Sequence, residues 1–177
     1  PLRKNIPDLL EEVKSLGLRL LLLTGDRQET ADELASEAGI GEVRAHLLPE
    51  DKLVIVKEFQ DQNLSIGMVG DGINDSPALA ASNLGIAVGS GTDTAIETAD
   101  VVLMDGSLHR LPYLFRLSRA TLAIIKQNIT LSMGLKLLAI GAGFFGVLTL
   151  WLAILADIGA TFLVTINSMR LLNKKFD

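Results

Sequence analysis

The sequence predicts an α/β domain built on a doubly wound parallel sheet, followed by a hairpin of two membrane-spanning helices. Residues 1–115 alternate continuous apolar runs with segments of helical period, which is typical of parallel βαβ units. Residues 128–148 and 150–172 are almost uncharged, and each has about the 20 residues that cross a bilayer. Residues 1–115 hold 9 Lys and Arg against 19 Asp and Glu, net −10, whereas the remainder is net +5. The chain therefore consists of two physically different parts.

Apolar runs in the first part predict strands that are buried on both faces of a sheet. The predicted strands are Leu18–Leu23, Leu64–Val69, Leu84–Val88 and Val101–Met104. The segments with a helical period are Ile6–Leu16, Thr30–Ala38, Glu50–Phe59 and Pro77–Ala81. In sheets of this kind ligands bind at the carboxyl ends of the strands. The residues that follow the strands are therefore the first candidates for a functional site.

The composition limits the classes of function. The 177 residues include no cysteine, so this chain contains no disulfide and no thiolate metal site. The acidic first part would repel nucleic-acid phosphates, so nucleic acid is not expected as a partner. A nucleotide bound together with Mg2+ stays compatible with that charge, because the cation offsets the phosphates. His46 and His109 have no metal-ligand spacing and are predicted to lie at the surface.

Polar residues follow the first two predicted strands. Glycine lets the backbone approach a ligand, hydroxyl and amide groups bond to phosphate oxygens, and carboxylates attract Mg2+. Lys52, in the first turn of the helix that Pro49 begins, would add positive charge. The candidates are Thr24, Gly25 and Asp26 after the first strand, and Asp71, Asn74 and Asp75 after the second.

Structural interpretations of the same residues remain open at this point. The Thr24-Gly25-Asp26 segment is also typical of a helix cap, and Asp75 is suited to cap the helix that Pro77 begins. Lys52 taken alone would be a solvated surface lysine. Only the ordered constellation at two strand ends favours a phosphate and Mg2+ site.

The segments Leu23–Asp26 and Met68–Leu79, together with Lys52, resemble the phosphorylation domain of P-type ATPases, within the haloacid dehalogenase superfamily. That resemblance implies a partial haloacid dehalogenase-like sheet and a reaction that needs Mg2+ and ATP. It assigns Mg2+ binding to Asp71 and includes Asp75 among the cofactor-binding residues.

The same resemblance implies roles for the other strand-end residues. Thr24 and Asn74 would contact the phosphoryl oxygens, and Lys52 would neutralise the charge of an aspartyl phosphate. Asp26 and Asp75 match positions that close and support the catalytic site, and Gly25 lies between two of these residues. The family's nucleophile belongs to an Asp-Lys-Thr-Gly motif, which this sequence lacks, so the chain alone is expected to be inactive. The expected partners are the rest of the ATPase: its actuator and nucleotide-binding domains and its other transmembrane helices.

The second part predicts a membrane hairpin with both ends in the cytoplasm. Residues 1–115 would be the phosphorylation-domain part, residues 107–127 a stalk helix, and residues 173–177 a cytoplasmic tail. The two membrane helices would be residues 128–148 and 150–172, joined at a turn from Gly146 to Thr149. Basic residues flank both ends, which is the cytoplasmic signature, and the expected location is a bacterial plasma membrane. The lipid is then a partner as well.

Lys136 and Asp157 are single charges near the middle of the two predicted membrane helices. Charges at that depth are costly, so they usually pair with each other or face an ion path. A salt bridge that only holds the helices together is the structural alternative. The residues themselves leave both interpretations open.

The surrounding pattern, with Asn128 before Lys136 and Asn167 after Asp157, resembles the zinc-, cadmium- and lead-exporting class of P-type ATPases. By that resemblance Asp157 would be a ligand of the transported Zn2+, Cd2+ or Pb2+, and Lys136 would be its counter-ion. Copper export, transport of another cation, and a soluble phosphatase of the same superfamily are the alternatives. Two long apolar runs argue against the soluble phosphatase.

Overall fold

The computed structural model describes residues 5–71, 74–89, 97–104, 106–146 and 149–174. The chain divides into two compact units, Pro1–Pro112 and Tyr113–Asp177. The first unit has alternating helices and strands, as the sequence predicts. Its described elements are α1 (Ile6–Ser15), β1 (Leu21–Leu23), α2 (Gln28–Ala38), β2 (Glu42–Arg44), α3 (Pro49–Asp61), β3 (Gly67–Gly70), α4 (Ser76–Ala81), β4 (Leu84–Val88) and β5 (Val101–Leu103).

All strand pairs in the described part of the first unit are parallel. Strand β1 pairs with β2, and β3, β4 and β5 form a second sheet in that order. No ladder among the described residues joins β1 to β3. Both sheets nevertheless share a core, because Leu23 of β1 packs against the cluster that contains Met68 of β3 and Val56 of α3. The predicted parallel α/β fold is confirmed, and a gap in the described strand pairing separates β1 from β3.

Strand β2 is an element that the sequence pattern does not predict. Its three residues, Glu42–Arg44, include a single apolar side chain, so the segment has no apolar run. It pairs with β1 on one side only within the described strands, as an edge strand does. Strand β1 is also shorter than the apolar run Leu18–Leu23 and begins at Leu21.

The close approach of β4 to α4 depends on glycine. A Cβ on Gly85 would lie 2.8 Å from the Leu79 carbonyl oxygen, which is nearer than side chains tolerate. Leu79 and Ile86 are each 1% exposed, so helix and strand meet in the centre of the core. This packing fixes the position of α4 and of the turn that precedes it.

The second unit is made of two long apolar helices. Helix α5 (Leu111–Phe144) is continuous through residues 127 and 128, where the sequence predicts a change from stalk to membrane helix. Helix α6 (Leu150–Met169) begins after Thr149, whose hydroxyl accepts a hydrogen bond of 3.4 Å from the Leu152 amide. Both helices are long and apolar enough to cross a membrane. The expected turn includes Gly146, with φ of +69°, while residues 147–148 lie outside the described part.

Candidate functional site

A salt bridge connects α3 to the turn that precedes α4. Lys52 Nζ lies 2.6 Å from Asp75 Oδ1, and each side chain is 14% exposed. Lys52 is placed by the start of α3, where Pro49 occupies the first turn and the Leu48 amide donates to Asp51 Oδ2 at 2.8 Å. The structure thus brings together two of the residues that the sequence predicts for the site.

The end of β3 lies against the Asp75 side chain. A Cβ on Gly70 would lie 2.6 Å from Asp75 Oδ2 and 2.8 Å from its Cβ. Only glycine leaves room for the carboxylate at this distance. Strand β3 therefore fixes Asp75 from one side, and Lys52 holds it from the other.

Asp75 occupies the N-cap position of α4, but its side chain makes no cap hydrogen bond within the described residues. Its carboxylate pairs with Lys52 instead. The interpretation of Asp75 as only a helix cap, and that of Lys52 as a solvated surface lysine, are therefore both wrong. The sequence predicts both residues in one site but does not predict that they pair, because 23 positions separate them.

Thr24 and Asp26 are bonded to each other at the carboxyl end of β1. Thr24 Oγ1 donates to Asp26 Oδ2 at 2.9 Å and accepts from the Asp26 amide at 3.1 Å. Neighbouring backbone groups brace this loop, since the Thr24 amide donates to the Arg44 carbonyl and the Leu47 amide donates to the Thr24 carbonyl. Gly25 is close to the same connection, and a Cβ there would lie 3.2 Å from the Leu47 carbonyl oxygen. These contacts connect the loop after β1 to Arg44 and Leu47.

His46 has a role in this loop that sequence reasoning misses. Its Nε2 accepts a hydrogen bond of 3.3 Å from the Gln28 amide at the start of α2, and its own amide donates to the Asp26 carbonyl at 2.9 Å. The backbone of His46 is left-handed, with φ of +57°. No motif signals this contact, because the two bonded segments are 18 residues apart.

Asp71 follows β3 and lines an open cavity of about 350 Å³. The other lining residues come from the start of α1, the end of β4 and the segment after β5: Ile6, Val88, Gly89, Gly106, Ser107, Leu108 and His109. Because these strands are parallel, the cavity lies at the carboxyl edge of the sheet, where the sequence predicts a ligand. Asn74 is exposed in the turn before α4, and the residues between it and Asp71 lie outside the described part.

The oxygen donors present fit a partial Mg2+ site. Mg2+ in phosphate-handling sites uses one or two carboxylates, and waters and phosphate oxygens complete its shell. Asp71 has its carboxylate at the lining of the cavity, and the Asp75 carboxylate pairs with Lys52. The described residues contain no group of three or more acidic or histidine side chains that would enclose a metal by themselves. A cation held here would depend on ligands from a substrate or from other residues.

Lys136 and Asp157 lie within the two apolar helices, and both side chains are exposed at the surface of the helix pair. Among the described residues, they make no salt bridge with each other. Hydrogen bonds between the helices come from other side chains: Asn128 bonds to Ser168, and Asn167 bonds to Asn128 and Gln127. The structure therefore does not bring together this predicted pair as a direct ion pair.

Comparison with known proteins finds relatives that match both units of the chain. The haloacid dehalogenase-like hydrolase family matches residues 1–83. The cadmium-transporting ATPase of Staphylococcus aureus is 47% identical over 175 residues, which cover 98% of this chain and 24% of that protein. The zinc/cadmium/lead-transporting P-type ATPase of Escherichia coli (strain K12) is 47% identical over 174 residues, with 98% and 24% coverage.

A solved structure decides the class. The crystal structure of a zinc-transporting PIB-type ATPase in the E2.Pi state matches with a TM-score of 0.91 at 47% identity, over 97% of this chain and 28% of that one. The chain belongs to the PIB-type ATPases. This PIB-type chain spans about a quarter of the length of the curated relatives it matches. The predicted resemblance and the α/β fold followed by two apolar helices are confirmed, while the roles of individual site residues stay predictions.

Proposed function

We propose that this chain supplies one half of the phosphorylation site and part of the metal path of a pump that exports Zn2+, Cd2+ or Pb2+ by way of an aspartyl phosphate. The observation that carries the proposal is that one chain combines a strand-end cluster around Lys52 and Asp75 with two apolar helices that hold Lys136 and Asp157. The names of the cadmium and zinc/cadmium/lead transporters, both 47% identical to the chain, support this choice of metals.

At the phosphate site the protein's contribution is position and charge. Phosphoryl transfer depends on holding the reacting groups in line and on neutralising oxygen charges as they develop. Lys52 supplies a positive charge whose location Asp75 fixes at 2.6 Å. Thr24 and Asn74 are the proposed contacts to the phosphoryl oxygens, and Asp71 is the proposed Mg2+ ligand, with Asp75 beside it. Mg2+, when bound, would offset phosphate charge.

The nucleophile would come from the remainder of the ATPase. No Asp-Lys-Thr-Gly motif occurs in the sequence, so the chain alone is expected to form no aspartyl phosphate. The missing strand pairing between β1 and β3 among the described residues supports a partner segment that lies between them, because their unpaired edges would be available for pairing. The nucleotide-binding and actuator domains are proposed partners on the same basis as the family resemblance.

In the membrane the proposed metal ligand is Asp157, and Lys136 is its proposed counter-ion. A carboxylate oxygen is a suitable ligand for Zn2+, whereas Cu(I) prefers sulfur. A charged side chain in an apolar membrane helix has a high free-energy cost, which favours a functional role for it. The basic residues that flank the helices support a cytoplasmic location for the first unit and for the chain end, with the helices in a bacterial plasma membrane. They include Arg116, Arg119, Arg170 and Lys174.

The test is Asp157→Asn in the complete protein, reconstituted in lipid vesicles. ATP hydrolysis stimulated by Zn2+ should fall to the level without metal, because a neutral amide is a poor substitute for a carboxylate ligand. Thr165→Ala is the matched control, since this exposed residue of the same helix bonds only to the Thr161 carbonyl within the described residues. Zn2+ stimulation that survives Asp157→Asn would remove Asp157 from the path, and stimulation by Cu(I) instead would favour the copper alternative.

A further inference from the structure

We propose that Asn128, Asn167 and Ser168 form an amide clamp that sets the register of α5 against α6, and with it the relative depth of Lys136 and Asp157. The inference rests on the proposed function for the roles of those two charges. The clamp itself is a positioning device, because its residues act through the helices that carry Lys136 and Asp157.

The clamp is a continuous set of hydrogen bonds between the two helices. Asn128 Nδ2 donates to Ser168 Oγ at 2.8 Å, and Asn167 Nδ2 donates to Asn128 Oδ1 at 2.8 Å. Arg170 Nη1 donates to Asn167 Oδ1 at 3.0 Å, so both ends of the Asn167 amide are used. The three clamp side chains are only partly exposed. These bonds connect one end of α6 to a fixed point on α5.

A seam of partly or fully buried residues continues from the clamp along both helices. Its members recur at intervals of three and four, which is the period of two helices packed side by side. The seam ascends α5 from Ser132 to Ala142 and descends α6 from Val164 to Ala153, in steps of three or four residues, as expected for an antiparallel pair. The seam residues are Ser132, Leu135, Ala139 and Ala142 on α5, and Ala153, Ala156, Ala160 and Val164 on α6.

The small seam residues pack closely but do not by themselves select one register. Alanine repeated along both helices offers similar contacts after a slip of one turn. A polar side chain in such a seam selects the register, because its partner must lie directly opposite. Asn128 and Asn167 are the polar pair that meets this condition in the structure.

The clamp places the two membrane charges at nearly equal depth. At 1.5 Å per residue, Lys136 lies about 12 Å beyond Asn128 and Asp157 lies about 15 Å before Asn167. Their depths therefore differ by about 3 Å, whereas a slip of one turn would move one helix by about 5.4 Å. Each charge also directly follows a seam residue, Leu135 or Ala156. In an antiparallel pair these positions share one flank, so both charges face the same side of the hairpin.

The test measures register and zinc response in the complete protein. Cysteines at Ser132 and Val164 report the observed register, and cysteines at Ser132 and Ala160 report a register one turn away. Trypsin separates residues 127–136 from residues 137–170, so a disulfide joins two peptides that mass spectrometry can identify. The clamp variants are Asn128→Leu and the milder Ser168→Ala, which removes one acceptor. The controls Thr130→Ala and Thr165→Ala remove hydroxyls that bond only within their own helix among the described residues.

The clamp variants should shift the ratio of the two disulfides by about three- to tenfold, as expected for the loss of one or two interhelical hydrogen bonds. They should also raise the Zn2+ concentration for half-maximal ATP hydrolysis, whereas the controls change neither quantity. An unchanged disulfide ratio in both clamp variants would overturn the clamp. A shifted ratio with an unchanged Zn2+ response would overturn the link to depth. If Asp157→Asn also left that response unchanged, the failure would belong to the proposed function instead.

Discussion

Lys52 and Asp75 form a salt bridge of 2.6 Å between the first turn of α3 and the residue before α4, and each side chain is 14% exposed. An ion pair with so little access to water depends on both partners, because the remaining charge would stay poorly solvated after one is removed. The pair is therefore expected to hold the strand-end turn in place before any phosphate binds.

Asp75→Asn should loosen the turn between β3 and α4. The variant leaves the Lys52 ammonium without its carboxylate and should lower the local free energy of unfolding by about 2 kcal/mol. Hydrogen exchange of the α3 and α4 amides in the complete protein measures this change. Glu58→Gln, an exposed position of the same helix, is the control and should leave exchange unaltered. Equal exchange in both variants would contradict a structural role for the pair.

Gly70→Ala should disturb β3, and Gly67→Ala should not. The added methyl at Gly70 would lie 2.6 Å from Asp75 Oδ2, whereas at Gly67 the nearest atom, the Leu84 carbonyl oxygen, is 3.9 Å away. Overpacking of this kind costs about 1–3 kcal/mol. The thermal stability of the complete protein and its ATP hydrolysis measure the difference. Similar losses in both variants would mean that glycine itself, and not the Asp75 contact, matters at this strand.

Thr24→Val should impair catalysis more than Thr24→Ser. Valine keeps the shape of the side chain but removes the hydroxyl that bonds twice to Asp26, while serine retains that hydroxyl. We expect ATP hydrolysis by the complete protein to fall by about a hundredfold with valine, as for other lost donors in charge-stabilising sites. Full activity of the valine variant would remove the Thr24 hydroxyl from the proposed phosphate site.

The edges of β1 and β3 should be unprotected in this chain and protected in the complete protein. No ladder among the described residues joins the two strands, so amides on the open edges exchange readily with water. Hydrogen exchange on both forms measures this, with β4 as the internal reference because it lies between β3 and β5. Strong protection of both edges in the isolated chain would exclude a strand supplied from elsewhere.

The sequence predicts the elements whose signal is local. Four of the five described strands follow from apolar runs, and the helices predicted from Glu50 and Pro77 begin one residue earlier, at Pro49 and Ser76. Strand β2 is not predicted, because one apolar side chain in three residues forms no apolar run. Local periodicity likewise cannot reveal that α5 runs unbroken through residues 127 and 128.

The site is predicted as a set of residues and not as a set of contacts. The strand-end rule gathers Thr24, Asp71 and Asp75 correctly at strand ends, but it contains no distances. The Lys52 pair, the His46 bond to the start of α2 and the bond between Asn128 and Asn167 each join segments that are 18 or more residues apart. Such partners are chosen by tertiary packing, which single-residue patterns do not encode.

The alanine-lined contact between α5 and α6 also bears on motion. Two helices that pack through short side chains, and are joined at one end by amide hydrogen bonds, have little freedom to rotate or slide independently. Opening and closing of an ion pathway would then have to come from movements of the helices that surround this pair. In the proposed pump, we expect the hairpin to stay fixed while neighbouring helices shift around it.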